Sequence, residues 1–248
     1  MRAELDPVIE ATGVSRSYGS LAQTMRALQE VSLTVAKGEV VAIMGPSGSG
    51  KSTLLYLLGG LDAPDAGVIR LAGVDWQSLR GSERARFTRR TCGFIVQGLS
   101  LLPQATAAEN VEVPLVLDDV APADRARRVA AALDRVGLAG QASHLTDELS
   151  GGEQQRVSIA RALVHEPAIV LADEPTGSLD SATAQVVTRL LVESARERGA
   201  AVVLVTHDRA VAQHADRVVI INSGRLSTDA HNEGRPENAL VLRPEIAR

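Results

Sequence analysis

The sequence has little cysteine, few aromatic residues, almost no lysine and no long hydrophobic run. One cysteine, Cys92, among 248 residues excludes an intrachain disulfide and a cysteine-based metal cluster. No apolar run approaches the roughly 18 residues that a membrane-spanning helix needs. The N-terminus lacks the basic-then-apolar pattern of a signal peptide, so we expect a cytoplasmic protein.

The charge and the aromatic content argue against a nucleic-acid partner. The formal net charge is −4, which offers no general attraction to a phosphate backbone. Two phenylalanines, two tyrosines and one tryptophan are too few for a base-stacking surface. Of the 26 basic residues, only Lys37 and Lys51 are lysines. The lysine at position 51 is informative if that position has a chemical role, because lysine carries a compact ammonium group that arginine lacks.

Apolar runs alternate with helical patterns along the chain. The predicted strands are Val8–Thr12, Val31–Ala36, Val40–Met44, Val68–Leu71, Gly93–Val96, Ala168–Ala172, Ala201–Thr206 and Val218–Ile221. The predicted helices are Lys51–Leu58, Ser82–Arg90, Ala108–Leu115, Ala123–Val136, Gly152–Val164 and Ser181–Arg198. Continuous, β-branched runs are typical of strands buried on both faces of a parallel sheet, and helices between them indicate βαβ units. We therefore predict an α/β fold with a mainly parallel central sheet.

Three regions differ in character. The strand signal disappears between about residues 97 and 163, which predicts a helical subdomain inserted in the α/β core. Residues 227–248 are polar and predict a loosely held tail. Residues 1–226 are then expected to form one domain.

A phosphate-binding loop stands between the predicted strand Val40–Met44 and the following helix. It consists of Gly45, Pro46, Ser47, Gly48, Ser49, Gly50, Lys51 and Ser52. Glycines let backbone N–H groups surround a phosphate chain, and the helix N-terminus adds a partial positive charge. Lys51 is expected to reach the β- and γ-phosphates, and Ser52 is expected to bind Mg²⁺.

Acidic residues follow the strand Ala168–Ala172. Ligands of open α/β sheets collect at the carboxyl ends of strands, so Asp173 is expected near the phosphate loop, holding Mg²⁺ through water. Glu174 is expected to polarise an attacking water. Because Pro175 follows it, Glu174 is predicted to have an extended backbone.

A second helix start resembles an anion-binding site. Ser150 and Glu153 form a capping-box pattern, which by itself predicts an ordinary helix start. Gly151 and Gly152 destabilise the first turn but allow a phosphate close to its N–H groups.

Two further polar residues follow predicted strands. His207 follows Ala201–Thr206 and is predicted to contact a γ-phosphate. Gln97 follows Gly93–Val96 and could reach Mg²⁺ or the attacking water; a surface glutamine is the alternative.

Together these motifs resemble the ATP-binding subunit of ATP-binding-cassette (ABC) transporters, over roughly residues 8–226. The resemblance implies a P-loop ATPase core with an N-terminal antiparallel β part and an inserted helical subdomain. It identifies residues 45–53, including Thr53, as the Walker A loop and Ser150 to Gly152 as part of the family signature. It also implies the following roles: Tyr18 stacks on adenine, Gln97 is the Q-loop glutamine, Asp173 and Glu174 are the Walker B aspartate and catalytic glutamate, Asp180 lies in the D-loop, and His207 is the switch histidine.

Finer features resemble the MacB/LolD/FtsE group. Three features match this group: the insert after Tyr18, the segment Leu101-Leu102-Pro103, and the run 172–180. One feature departs from it: after Gln97 the chain has Gly98-Leu99, where the group usually has a polar residue and an aromatic. The resemblance implies a homodimer that encloses two ATP–Mg²⁺ between the Lys51 loop of one copy and the Ser150 helix of the other. It implies an integral membrane permease with a large extracytoplasmic domain, placing the chain at the cytoplasmic face of the membrane. The resemblance leaves three kinds of work open for the transporter: export, lipoprotein release and transmembrane force relay.

The principal alternative is a soluble ABC ATPase of the iron–sulfur assembly type, with no transport. A repair-type nucleic-acid machine needs a long coiled coil between the two motifs, and the 99 positions from Lys51 to Ser150 leave no room for it. A catalytically inactive scaffold is disfavoured because Gln97, Glu174 and His207 are all present.

Overall fold

The structure is a computed structural model that describes residues 7–20, 23–98 and 100–231. Ten strands are found in this part of the chain: β1 Pro7–Ser20, β2 Gln23–Ala36, β3 Val40–Met44, β4 Ala66–Leu71, β5 Val74–Asp75, β6 Cys92–Ile95, β7 Ile169–Asp173, β8 Ala201–Val205, β9 Arg217–Asn222 and β10 Arg225–His231. Seven α-helices accompany them in the same ranges: α1 Lys51–Leu58, α2 Gly81–Thr91, α3 Ala107–Leu117, α4 Pro122–Arg135, α5 Gly151–Leu163, α6 Ser181–Arg196 and α7 Arg209–Ala212.

The strands form two sheets. An antiparallel sheet has the order β2-β1-β4-β5, and a six-stranded sheet has the order β10-β9-β3-β8-β7-β6. In the second sheet β9, β3, β8, β7 and β6 run parallel, while β10 pairs with β9 in antiparallel orientation. The predicted α/β fold with a mainly parallel sheet and an N-terminal antiparallel part is confirmed.

Both faces of the parallel sheet are buried, which explains its continuous apolar strands. Successive side chains of a strand point to opposite faces. On β3, Val40 and Ala42 belong to one core with α5 and α6, whereas Val41 and Ile43 belong to a second core with α1 and the antiparallel sheet. Because neither face of such a strand meets solvent, its sequence does not alternate between apolar and polar residues.

The prediction was accurate for buried strands and long helices, and poor for solvent-facing strands. β3 and α1 have the predicted bounds, whereas β1 continues eight residues beyond the predicted Thr12, to Ser20. β5 and β10 were not predicted. β5 and β10 lie at the edges of their sheets, and the extension of β1 is held by pairing with β2, which a local apolar pattern does not reveal.

Helices occupy the stretch that lacks strand signal. α3, α4 and α5 contribute to the same core, and in the described residues from 97 to 163 the β-pairing is one isolated bridge, Thr106 with Leu145. Strand β10 takes in residues 227–231, which were assigned to the tail. Leu99 and residues 232–248 lie outside the described residues. Within the described part, no helix combines the length and the apolar character needed to cross a membrane.

Strand β6 is held against α5 by a glycine. A Cβ built at Gly93 would lie 2.1 Å from the backbone oxygen of Ala162 on α5. The contact fixes the helical region against the sheet at the strand that leads to Gln97.

We expect Gly93→Ala to lower the free energy of unfolding by about 1–3 kcal/mol, because neither backbone can move without disturbing the core. Chemical denaturation of both proteins measures the effect. Gly140→Ala is the matched control, since a Cβ there meets nothing within 4 Å, and it should change stability by less than about 0.5 kcal/mol. Equal stability of the two variants would show that β6 and α5 are not closely packed.

Candidate active site

Polar segments follow four strands of the parallel sheet at one edge. β3, β8, β7 and β6 are consecutive neighbours, so their carboxyl ends lie side by side. The Lys51 loop follows β3, His207 follows β8, Glu174 follows β7 and Gln97 follows β6. All of these border one open cavity of about 450 Å³.

The loop after β3 leaves the N-terminus of α1 available to a ligand. Gly50 is the N-cap residue, has φ +104°, and makes no side-chain capping hydrogen bond. A Cβ at Gly50 would lie 2.4 Å from the backbone oxygen of Ala27, so only glycine fits this turn. The uncapped N–H groups of the first turn are suited to an anion.

Lys51 crosses the loop. Its Nζ donates hydrogen bonds to the backbone oxygens of Gly45 (3.0 Å) and Pro46 (2.9 Å). The ammonium therefore lies over the concave side of the loop, where a phosphate chain would meet both the charge and the helix N-terminus.

The two acidic residues Asp173 and Glu174 differ in how deeply they are buried. Asp173 is 1% exposed and accepts a hydrogen bond of 3.1 Å from Ser52 Oγ. The Glu174 side chain is 14% exposed, and its Oε1 lies 2.8 Å from Nδ1 of His207, whose side chain is 73% exposed. Asp173 thus faces the loop and α1, while Glu174 faces the cavity together with His207.

The predicted extended backbone of Glu174 is wrong. Its φ is +44°, in the left-handed region. The Glu174 N–H donates to the backbone oxygen of Val205 (3.0 Å), and the Gly177 N–H closes a turn onto the Glu174 oxygen (3.1 Å). The β-ladder and this turn together outweigh the preference that Pro175 imposes.

Tyr56 is a neighbour of Asp173 that the sequence analysis did not single out. It lies one helical turn after Ser52 on α1, so the two residues share a face. Burial, and then the charge of Asp173, raise the pKa of Tyr56, so its hydroxyl is neutral at physiological pH. The signal in the sequence that could have identified Tyr56 is its position four residues after Ser52, on the same face of the helix.

The cavity includes part of the predicted site. Among the predicted residues, those that line it are Gly45, Ser47, Gly48, Gly50, Lys51, Ser52, Thr53, Gln97, Asp173, Glu174 and His207. Met25, Ala27, Gly177 and Val205 also line it and were not predicted. Met25 and Ala27 reach the cavity on β2 and Val205 at the end of β8, whereas Gly177 lies in the turn after β7, within the run 172–180.

The remaining predicted residues are not among those that line the cavity: Tyr18, Pro46, Ser49, Ser150, Gly151, Gly152 and Asp180. Ser150 caps α5 in a capping box with Glu153, and Asp180 caps α6 through the N–H groups of Ala182 and Thr183. Tyr18 Oη donates to Asp62 instead.

A model of the family described as ABC transporter matches residues 28–177. The lipoprotein-releasing system ATP-binding protein LolD of Legionella pneumophila (strain Lens) is 46% identical over 221 residues, which cover 89% of this chain and 97% of that protein. The macrolide export ATP-binding/permease protein MacB of Rhodospirillum rubrum is 48% identical over 230 residues, covering 93% of this chain but 35% of that protein.

Solved structures give the same answer. The dimeric post-hydrolysis structure of the ATP-binding cassette MJ0796 bound to ADP and Pi has a TM-score of 0.83 at 38% identity, covering 92% of this chain and all of that one. The structure of cbiO1 from Clostridium perfringens, part of the ABC transporter complex cbiONQ, has a TM-score of 0.82 at 29% identity, with 92% and 89% covered. The predicted resemblance is thereby confirmed, and the chain belongs to the ABC transporter family.

Proposed function

We propose that this chain is the ATP-hydrolysing subunit of an ABC transporter, working as a homodimer with a separate membrane permease. The observation that carries the proposal is the single cavity bordered by Lys51, Gln97, Asp173, Glu174 and His207. A phosphate cradle, a buried carboxylate and a carboxylate paired with histidine are the groups that phosphoryl transfer to water requires.

The loop between β3 and α1 binds the triphosphate. Backbone N–H groups of residues 47–53, at the N-terminus of α1, donate to phosphate oxygens, and Lys51 exchanges its carbonyl contacts for the β- and γ-phosphates. Ser47, Gly48 and Thr53 border the same space. Tyr18, at the end of the β1–β2 hairpin, supplies the stacking surface for adenine.

The site also fits Mg²⁺. Ser52 Oγ and Asp173 Oδ1 lie 3.1 Å apart at the floor of the cavity, and Gln97 borders it. Hydroxyl and carboxylate oxygens, with phosphates and water completing the shell, are the usual ligands of this ion. Bound Mg²⁺ would neutralise charge on the β- and γ-phosphates. Ser52 is the direct ligand in this proposal, and Asp173 acts through water.

Glu174 and His207 act on the attacking water. Glu174 orients a water molecule in line with the γ-phosphorus and accepts its proton. The water oxygen bonds to phosphorus as the bond to the β–γ bridging oxygen breaks, leaving ADP and phosphate. His207, 2.8 Å from Glu174, holds that carboxylate and contacts the γ-phosphate.

Two copies complete each site. Ser150, Gly151 and Gly152 lie at the N-terminus of α5 and do not line the cavity of their own copy. We infer that they close on the γ-phosphate bound by a second copy arranged head to tail, with Asp180 nearby. The relative MJ0796 is described as a dimer bound to ADP and Pi, which supports this arrangement.

An apolar groove offers a place for the permease. It has a volume of about 670 Å³ and lies between α2, β6, α3 and α5. Leu61, Phe94, Pro114 and Leu117 line its apolar part. Phe94 and Val96 border the groove, and Gln97, the residue after Val96, borders the ATP cavity. Movement of an occupant is therefore transmitted to the ATP site through one short segment.

The chemistry of the groove defines its occupant. None of its described lining residues is acidic. Of the arginines that line it, Arg89 is already paired with Asp118, whereas Arg84 lies over the Trp76 ring and pairs with no described carboxylate. Two buried polar atoms in its wall, Thr88 Oγ1 and His165 Nδ1, have no hydrogen-bond partner among the described residues. Burial lowers the pKa of His165, so it is neutral at pH 7. We propose that an apolar permease segment carrying a carboxylate and a further polar group docks here.

The names of the relatives favour transport over the soluble alternative. LolD is named for lipoprotein release and MacB for macrolide export, and MacB is named as an ATP-binding protein and permease in one chain. We propose that this chain works at the cytoplasmic face of the membrane, held there by its permease. In this proposal the ATP-binding domain, predicted for residues 1–226, continues through β10 to residue 231, with the helical subdomain at about 97–163.

We expect Lys51→Ala to weaken ATP–Mg²⁺ binding by about 10- to 100-fold or more, because charge-assisted hydrogen bonds to two phosphates are lost. Isothermal titration calorimetry measures the affinity. Lys37→Ala, at the exposed turn between β2 and β3, is the matched control and should bind like the parent. Unchanged binding by Lys51→Ala would refute the phosphate-loop assignment.

We expect Glu174→Gln to bind ATP normally, to hydrolyse it at least about 100-fold more slowly, and to accumulate as an ATP-bound dimer. Phosphate release and light scattering measure the two effects. Glu197→Gln, at the exposed end of α6, should hydrolyse at the parent rate. Full turnover by Glu174→Gln would remove this residue from the mechanism.

Trapped Glu174→Gln protein also identifies the partner. We expect it to co-purify from detergent-solubilised native membranes with a membrane protein that carries a large extracytoplasmic domain. Mass spectrometry identifies the chain. Soluble partners alone would favour the alternative function.

We expect Leu117→Glu to abolish this co-purification, because it introduces a charge into the apolar part of the groove. Leu117 is 57% exposed, so the change should be tolerated by the fold. Val186→Glu, at a 60% exposed position on α6, is the matched control and should retain the permease. Retention by Leu117→Glu would show that the permease docks elsewhere.

A further inference from the structure

A compact ionic cluster surrounds Tyr18 at the tip of the first hairpin. It consists of Arg16, Tyr18, Asp62 and Asp65, and we refer to it as the Tyr18 cluster. Arg16 and Tyr18 lie on β1, whereas Asp62 and Asp65 lie in the loop between α1 and β4, more than 40 residues away. The α1–β4 loop therefore holds an aromatic side chain on β1, the strand that pairs with β4.

Asp62 is the centre of the cluster. It accepts hydrogen bonds from Arg16 Nε at 3.1 Å, from Arg16 Nη2 at 2.9 Å and from Tyr18 Oη at 2.8 Å. Its Oδ1 also accepts the N–H of Ala63 at 2.7 Å. Burial alone would raise the pKa of Asp62, but the bonds from Tyr18, Ala63 and Arg16 hold it below its ordinary value. The carboxylate is thus ionised at neutral pH and fully engaged.

Arg16 covers the tyrosine ring. Its guanidinium carbon lies 4.8 Å from the ring centroid, a cation–π distance. Nη1 of Arg16 is also bonded to Asp65 at 2.8 Å, and Asp65 accepts the N–H of Ser17 at 2.7 Å. Two carboxylates therefore hold the guanidinium, and the guanidinium in turn supports one face of the ring.

The cluster places Tyr18 at the rim of the ATP cavity. Tyr18 pairs directly with Met25 across the β1–β2 hairpin, so their side chains lie next to each other on one face. Met25 is one of the residues that line the ATP cavity. Tyr18 is 36% exposed, which leaves ring surface for a ligand at this rim.

We propose that Asp62 and Arg16 are positioning residues for nucleotide-base recognition: they hold the Tyr18 ring by its hydroxyl and one face, so that the base stacks on a preformed surface. This inference rests on the proposed stacking role of Tyr18. A ring already held in place loses less conformational freedom when the nucleotide binds, so the gain is in affinity for the base. The phosphates are bound by the Lys51 loop and do not depend on the cluster.

The test compares ATP with inorganic tripolyphosphate, which has no base. Each is titrated with Mg²⁺ into the full chain by isothermal titration calorimetry. We expect Asp62→Asn to raise the Kd for ATP by about 3- to 10-fold, the range of one or two lost hydrogen bonds, and to leave the Kd for tripolyphosphate within about 2-fold. Tyr18→Phe, which removes the hydroxyl and keeps the ring, should have a similar effect. The double variant should be no worse than Asp62→Asn, because both changes break the same bond.

Asp134→Asn is the matched control, since it makes the same change of charge at an exposed residue of α4, outside the Tyr18 cluster. It should shift the ATP Kd by less than about 2-fold. Equal weakening of ATP and tripolyphosphate by Asp62→Asn would assign the cluster a merely structural role and overturn the proposal. Unchanged or tighter ATP binding would overturn it as well.

Tyr18→Ala separates failure of this inference from failure of the proposed function. If Tyr18→Ala weakens ATP selectively and Asp62→Asn does not, the stacking role stands and the positioning role is wrong. If Tyr18→Ala leaves the ATP Kd unchanged, the stacking role itself fails, and with it the positioning role. Because Tyr18→Phe keeps every contact between Arg16 and Asp62, it reports on the hydroxyl even if Asp62→Asn folds poorly.

Discussion

The parallel ladder of β3, β8, β7 and β6 is the constraint on which the candidate site depends. Parallel pairing forces the carboxyl ends of neighbouring strands to one edge, and each of these strands is followed at once by a polar segment. Ser52 and Asp173 are 121 residues apart in the chain but 3.1 Å apart at this edge. The cores on both faces of the sheet make the ladder rigid, so residues from four separate segments keep a common geometry.

The N-termini of α1 and α5 differ both in their capping and in their position relative to the ATP cavity. At α1 the N-cap is Gly50, without a side-chain cap, and the first-turn N–H groups face the cavity of the same chain. At α5 Ser150 and Glu153 form a reciprocal capping box, and the two glycines that follow Ser150 do not line that cavity. In the proposed homodimer, the N-terminus of α1 holds phosphate within the copy and that of α5 meets the phosphate of the other copy. ATP itself would then link the two copies.

The short segment from β6 to Gln97 connects this site to the groove between α2, α3 and α5. Gly93 lets β6 approach α5 closely, Phe94 and Val96 face the groove, and Gln97 faces the ATP cavity. A nucleotide that moves Gln97 must disturb the groove wall, because few residues separate the two. In the proposed function, this short segment couples ATP binding to the permease directly through the backbone, without a long chain of side-chain contacts.

The sequence by itself determined the buried strands, the long helices, the phosphate loop and the residues at the strand ends. These follow from local pattern: continuous apolar runs, helical spacing and glycine placement act within about ten residues. Only the tertiary structure decided the length of β1, the left-handed turn at Glu174 and the attachment of Tyr18 to Asp62. Each depends on distant partners, since β1 is extended by β2 and β4, the backbone of Glu174 is held by Val205, and Tyr18 meets Asp62 across 44 positions. Local preference cannot encode such contacts, because their free energy exists only once the sheets and the loop between α1 and β4 are packed together.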